Sequence, residues 1–145
     1  MSRSTFERIL VALDGSDPSG RAFGVALEMA KGFGGELHLC SVIENLPRYA
    51  EETMNEVDEL AEHARQHFEL VQKPLLQRAE REGVKVTSHI MPGHVVETIV
   101  HLAQQEKASA IVVGGLGRSH VLHRVGGGTG TQIAYHAPCT VVVVR

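Results

Sequence analysis

Five short apolar runs alternate with longer stretches whose apolar positions recur every three or four residues. The runs are Arg8 to Leu13, Leu37 to Ile43, Val84 to Ile90, Ser109 to Val113 and Thr140 to Val144. The first, fourth and fifth are nearly unbroken in apolar residues, as strands covered on both faces are. The third sets Val84 and Val86 against Lys85 and Thr87, the alternation of a half-exposed edge strand.

The intervening stretches read as amphipathic helices. Ala22, Ala26, Met29 and Phe33 share one face, with Phe23, Leu27 and Ala30 beside them. Asp17-Pro18 supplies a cap and a first-turn proline, and Gly32 with Gly34-Gly35 ends the segment. A longer stripe runs through Val57, Leu60, Ala61, Ala64, Phe68, Val71, Leu75 and Ala79. It stays in phase across Pro74, which predicts one kinked helix rather than two unrelated ones. A third helix follows Gly93-His94, with Val95, Val96, Ile99, Val100 and Ala103 inward, and a short fourth runs from Thr129 to before Ala137-Pro138. The order β-α-β-α-β-α-β-α-β predicts an α/β fold: a single doubly wound, five-stranded parallel sheet with helices on both faces and right-handed crossovers. No repeat or domain boundary interrupts it, so residues 1–145 read as one domain.

Composition narrows the function. The 145 residues are 43% hydrophobic and 21% charged, with net charge −3. No basic segment suggests a nucleic-acid partner, and no run approaches the roughly 20 apolar residues of a membrane span. The start of the chain lacks the apolar stretch of a signal peptide, and Cys40 and Cys139 form no Cys-x-x-Cys pair. Two buried free thiols in a cytoplasmic protein are expected.

Seven of the 15 glycines fall between Gly114 and Gly130, directly after the fourth run. A strand that opens into a glycine-rich loop and then a helix can aim backbone N–H groups at a phosphate. The same loop could serve as a flexible connection only. Asp14-Gly15-Ser16 follows the first run, where open α/β sheets place their ligands. Asp14 there could accept hydrogen bonds from a ribose, or Asp14 and Asp17 could simply form the turn and cap. No Gly-Lys-(Ser/Thr) Walker signature occurs, and Asp14-Gly15-Ser16 stands where a dinucleotide fingerprint would begin.

Gly114-x2-Gly117-x9-Gly127 resembles the Gly-x2-Gly-x9-Gly-(Ser/Thr) motif of nucleotide-binding members of the universal stress protein family. Ile9 to Ser16, Ala108 to Gly114 and His136 to Val144 resemble that family's opening, fourth and closing strand segments. The resemblance implies a Rossmann-like fold of the adenine nucleotide alpha-hydrolase-like kind. It also implies a cytoplasmic homodimer in the stress response and ATP, with or without Mg, between the first and fourth strands. Carried over by position, Asp14 and the adjoining Gly15 hold the ribose end, Ala12 borders the base, and the Val42 backbone contacts adenine. Val113 and Gly114 line base and sugar; Gly117, Gly127, Gly128 and Thr129 cradle phosphate. The chain departs from the motif at Gly128, where the family has Ser or Thr. Thr129, one residue later, could substitute, or backbone amides could suffice.

Arg118 and Arg124 could add charge near the phosphates or remain solvated. His63 and His67 share a helical spacing, and His120 and His123 lie in the glycine arm. Neither pair has a carboxylate or cysteine in a recognised ligand pattern, so no metal site is expected. Ser16 and Ser119 lack a nucleophile context, and no residue stands out as a water-activating base. The sequence therefore points to a nucleotide-binding regulatory or sensor protein rather than an enzyme. The rivals are a partner-binding module with weak or no nucleotide, and a slow ATPase. An unidentified regulatory protein is the expected partner. The apolar strand 140–145, which the family places at a sheet edge, is the expected homodimer contact.

Overall fold

The computed structural model describes residues 5–44, 54–115 and 128–145. Its elements are β1 (Arg8–Ala12), α1 (Asp17–Phe33), β2 (Glu36–Ile43), α2 (Met54–Arg81), β3 (Val86–Pro92), α3 (Val95–Gln105), β4 (Ala110–Gly114), α4 (Thr129–His136) and β5 (Thr140–Val144). The strands form one sheet in the order β3-β2-β1-β4-β5, and every neighbouring pair is parallel. This is the expected doubly wound α/β architecture.

Alternate residues of β1 feed two cores. Ile9 and Val11 pack with Phe23, Ala26 and Leu27 of α1 and Ala79 of α2. Leu10 packs on the other face with Ile99, Leu102 and Ala103 of α3 and Ile133 of α4. Phe23 and Ile133 are both fully buried, and removing such a side chain from water contributes about 1.5–3 kcal/mol. The sheet therefore holds both helical layers, and its strand ends are fixed relative to each other.

Local chemistry sets the helix ends. Ser16, rather than Asp17, is the cap of α1: its Oγ accepts from the Ser19 N–H at 3.3 Å. Asp17 lies in the first turn, where its charge favours the helix dipole. Gly34 ends α1 at φ 69°, whereas Gly32 is still helical. Helix α2 continues through Pro74 as a single element. Leu70 and Pro74 are exposed, so the hydrogen bond that proline removes is lost on the solvent side. Leu60, expected in the apolar stripe, is half exposed.

Two expectations about strands need correction. β5 is not covered on both faces: it is the sheet edge, and Val143 is 45% exposed. β2 is the more enclosed strand, with every residue from Leu37 to Ile43 buried. Of the two free thiols, Cys40 is buried but Cys139 is only partly so.

Candidate functional site

The sheet order places a crevice between β1 and β4. From β1 the chain winds one way through α1 to β2, and from β3 it crosses back through α3 to β4 on the other side of β1. Helices that diverge in this manner leave a cleft beyond the carboxyl ends of the two strands. A cavity of about 640 Å³ occupies that position. Its size suits a nucleotide-sized ligand.

The cavity gathers residues distant in sequence. Ala12 and Asp14 come from the end of β1, Val42 from β2, Val113 and Gly114 from β4, and Gly128 and Thr129 from the start of α4. Seven of the residues expected from sequence therefore line one space. Gly15 does not line it. Its φ of 86° makes the turn between β1 and α1, and an added Cβ would meet Val71 at 3.3 Å. Gly117, Arg118 and Gly127 lie outside the described residues, as do Arg124, His120 and His123.

The Asp14 turn is held locally. Asp14 Oδ1 accepts from the Ser16 N–H at 2.9 Å, while Ser19 Oγ donates to the Ser16 carbonyl at 2.9 Å. Behind it, the Leu13 N–H donates to the Cys40 carbonyl at 2.8 Å, continuing the β1–β2 pairing. Ser41 Oγ donates to the Leu13 carbonyl at 2.7 Å and accepts from Gln72 Nε2 at 2.9 Å. Gln72 is fully buried; it also donates to the His89 carbonyl and accepts from Ser88 Oγ. This network ties α2 to β2 and β3 immediately behind the residue that precedes Asp14.

Steric demand, not positive φ, explains the glycines described on the β4 side. Gly114 and Gly115 are absent from the positive-φ set, yet each stands against another element. A Cβ on Gly114 would lie 2.6 Å from the Pro18 carbonyl carbon of α1. Part of the glycine signal thus serves close packing around the cavity rather than an anion.

Gly128 is the cap residue of α4, with extended backbone and no side-chain cap hydrogen bond. Glu44, also in the wall, follows β2 and accepts from the Val95 N–H at 3.4 Å, at the start of α3. A carboxylate at the start of α3 disfavours phosphate beside it. Burial pushes the Cys40 thiol, also on the wall, up to about 12, so it is neutral and inert.

Sequence reasoning missed Glu44, Phe68 and Thr131 in the wall. Phe68 was legible only as a core position on the α2 stripe. Glu44 could have been found from its place directly after β2.

Residues 5–145 match the universal stress protein family. The chain belongs to that family. A universal stress protein of Thermus aquaticus is 32% identical over 149 residues, covering 97% of this chain and 99% of the relative. The solved structure of universal stress protein UspA from Lactobacillus plantarum has a TM-score of 0.85 at 26% identity, with 100% of both chains covered. A universal stress protein solved in complex with cAMP has a TM-score of 0.75 at 22% identity, covering 97% of each chain. Membership of the family agrees with the five-stranded parallel sheet.

Proposed function

We propose that this universal stress protein binds an adenine nucleotide, ATP as the first candidate, in the β1–β4 cavity and acts as a regulatory sensor without dedicated catalysis. The carrying observation is the convergence of Ala12, Asp14, Val42, Val113, Gly114, Gly128 and Thr129 on one cavity. Apolar Ala12, Val42 and Val113 suit a base, Asp14 a ribose, and the start of α4 the phosphates. The relative in complex with cAMP supports an adenine nucleotide of this general size. Ligand binding would stabilise the folded state and change the surface offered to a regulatory partner, through linkage. We place the protein in the cytoplasm as a homodimer paired through β5, whose exposed edge would be covered by its twin. Among the described residues no helix is long and apolar enough to cross a membrane.

Two observations favour a weaker-binding reading. Gly128 brings no hydroxyl to the α4 cap, and the described wall contains no Lys, Arg or His. Titration calorimetry with MgATP and with cAMP tests both readings. Saturable heat with a matching rise in Tm supports nucleotide sensing. Absence of heat and of any Tm shift at millimolar concentrations of either nucleotide leaves only a partner-binding module.

A further inference from the structure

A second constellation lies on the β2–β3 pair, and none of its residues lines the nucleotide cavity. His38 and His89 meet diagonally across the β2–β3 pair, where His38 stands opposite Thr87 and His89 opposite Cys40, with His38 Nδ1 3.0 Å from His89 Nε2. The far nitrogen of His38, Nε2, lies 2.9 Å from Glu36 Oε1. Glu106 completes the group: one ring nitrogen of each histidine and one Glu106 carboxylate oxygen all lie within 4.8 Å of one another.

We propose that His38, His89 and Glu106 form a binding site for a divalent transition-metal ion of the zinc type, with Glu36 as the positioning residue behind His38. The donor set is two imidazoles and one carboxylate, which zinc accepts with a fourth position left open to water or ligand. Two imidazole nitrogens on a tetrahedral zinc stand roughly 3.3 Å apart, so the 3.0 Å pair opens by about 0.3 Å and its rings turn until both lone pairs meet at the ion instead of along the line between the nitrogens.

The tautomers fit. An ionised carboxylate can only accept, so His38 Nε2 donates to Glu36 and leaves the Nδ1 lone pair facing the site. That carboxylate–histidine pairing is the usual outer support of a metal-bound imidazole. In the metal-free network His89 Nε2–H donates to His38 Nδ1; metal binding requires His89 to carry its proton on Nδ1 instead, with no change of charge. His38 is buried, while His89 and Glu106 are partly exposed, which leaves an approach from solvent.

The position of Glu106 is an independent argument. It caps the C-terminus of α3, and the chain turns there through Lys107 at φ 54°. Ala108 N–H donates to the Ala103 carbonyl at 2.8 Å, and Lys107 N–H to the Gln104 carbonyl at 3.3 Å, closing the turn and fixing Glu106 in place. A carboxylate at the negative end of a helix is unfavourable, and the last turn of α3 has no basic residue to offset it. A bound cation between Glu106 and the two imidazoles removes that conflict.

The test is titration of the EDTA-treated full chain with ZnCl2 and, separately, CoCl2. One equivalent of zinc is expected, and cobalt should give the visible absorption of a nitrogen–oxygen site without thiolate bands. Glu106→Gln and His89→Gln should each weaken zinc binding at least tenfold. Glu36→Gln should weaken it by about tenfold as an outer-shell change. The His63→Ala/His67→Ala double variant should bind as the parent does. In the unmodified chain, zinc should shift the ring ¹⁵N resonances of His38 and His89. Absence of binding at submillimolar zinc, retained affinity in both Glu106→Gln and His89→Gln, or shifts confined to other histidines would each overturn the site.

Discussion

Gly114 and Pro18 approach so closely that no side chain fits between them: a Cβ on Gly114 would lie 2.6 Å from the Pro18 carbonyl carbon and 2.7 Å from its oxygen. The obstacle is backbone at the start of α1, which cannot swing aside as a side-chain tip could. Both residues line the cavity, so the contact sets the gap between β4 and the Asp14 turn. Gly114→Ala should therefore lower stability by about 1–3 kcal/mol, as overpacking does. It should also weaken nucleotide binding by displacing α1. Urea denaturation and titration calorimetry on the same variant measure both effects. Unchanged values in both experiments would remove the close approach as a determinant of the site.

Gln72 gives a second test, because it is fully buried and joined to Ser41, Ser88 and the His89 carbonyl. Gln72→Leu keeps similar bulk but removes these bonds, leaving the remaining polar groups short of a partner. The expected loss is about 1–3 kcal/mol in urea denaturation. Nucleotide affinity should fall as well, since Ser41 Oγ also holds the Leu13 carbonyl next to Asp14. Gln72→Glu should be worse, because it buries a charge in place of a donor.

These two cases show what the sequence made legible and what it hid. The strand and helix order followed from hydrophobic spacing, because each period reports which face a residue buries. The Ala12–Asp14 segment and Gly114 could be brought together on paper, since parallel topology fixes where strand ends meet. Gln72 was hidden because a polar residue inside an apolar stripe looks like an exposed neighbour until its partners on other strands are known. His38 and His89 were hidden for the same reason. Their contact is a diagonal cross-strand one 51 residues apart, whereas His63 and His67 stand out because their spacing repeats along one helix. The sequence marks Gly114 as part of a ligand-binding glycine loop, whereas its close approach to Pro18 is a packing demand that only the folded chain reveals.

Glu82 carries a pH prediction. Hydrogen bonds from Lys31 at 2.9 Å and from Arg78 at 3.0 Å hold its carboxyl below the usual range. A folded-state value below the unfolded one means that protonation favours the unfolded chain. The stabilisation is present above the unfolded value of about 4.5 and is lost as pH falls below it through the lower, folded value. Glu82→Gln should therefore flatten part of the acid limb of a stability profile measured by urea midpoints from pH 6 to pH 3. Because Glu82 is partly exposed and its partners Lys31 and Arg78 are exposed, the effect should shrink in high salt. A profile of unchanged steepness in Glu82→Gln would show that these ion pairs contribute nothing to acid unfolding.

Gly128 offers the sharpest gain-of-function test. It stands at the α4 cap, where the nucleotide-binding motif resembled by this chain carries Ser or Thr. Its φ is −83° and its ψ −172°, extended backbone that a serine adopts without strain. Gly128→Ser should thus fold normally, and its hydroxyl can accept from a first-turn N–H of α4 or donate to a phosphate. As a cap alone it adds only a few tenths of a kcal/mol over glycine. As a hydrogen bond to a charged phosphate it is worth about 1.5–3 kcal/mol, which is roughly ten- to hundredfold in Kd. The two roles separate cleanly: the cap raises Tm without ligand, whereas the phosphate contact raises it only with ATP and not with adenosine. Titration of parent and Gly128→Ser with ATP and adenosine should show tighter binding of ATP alone. Equal affinities for ATP in the two proteins would mean that the phosphates do not lie at the start of α4.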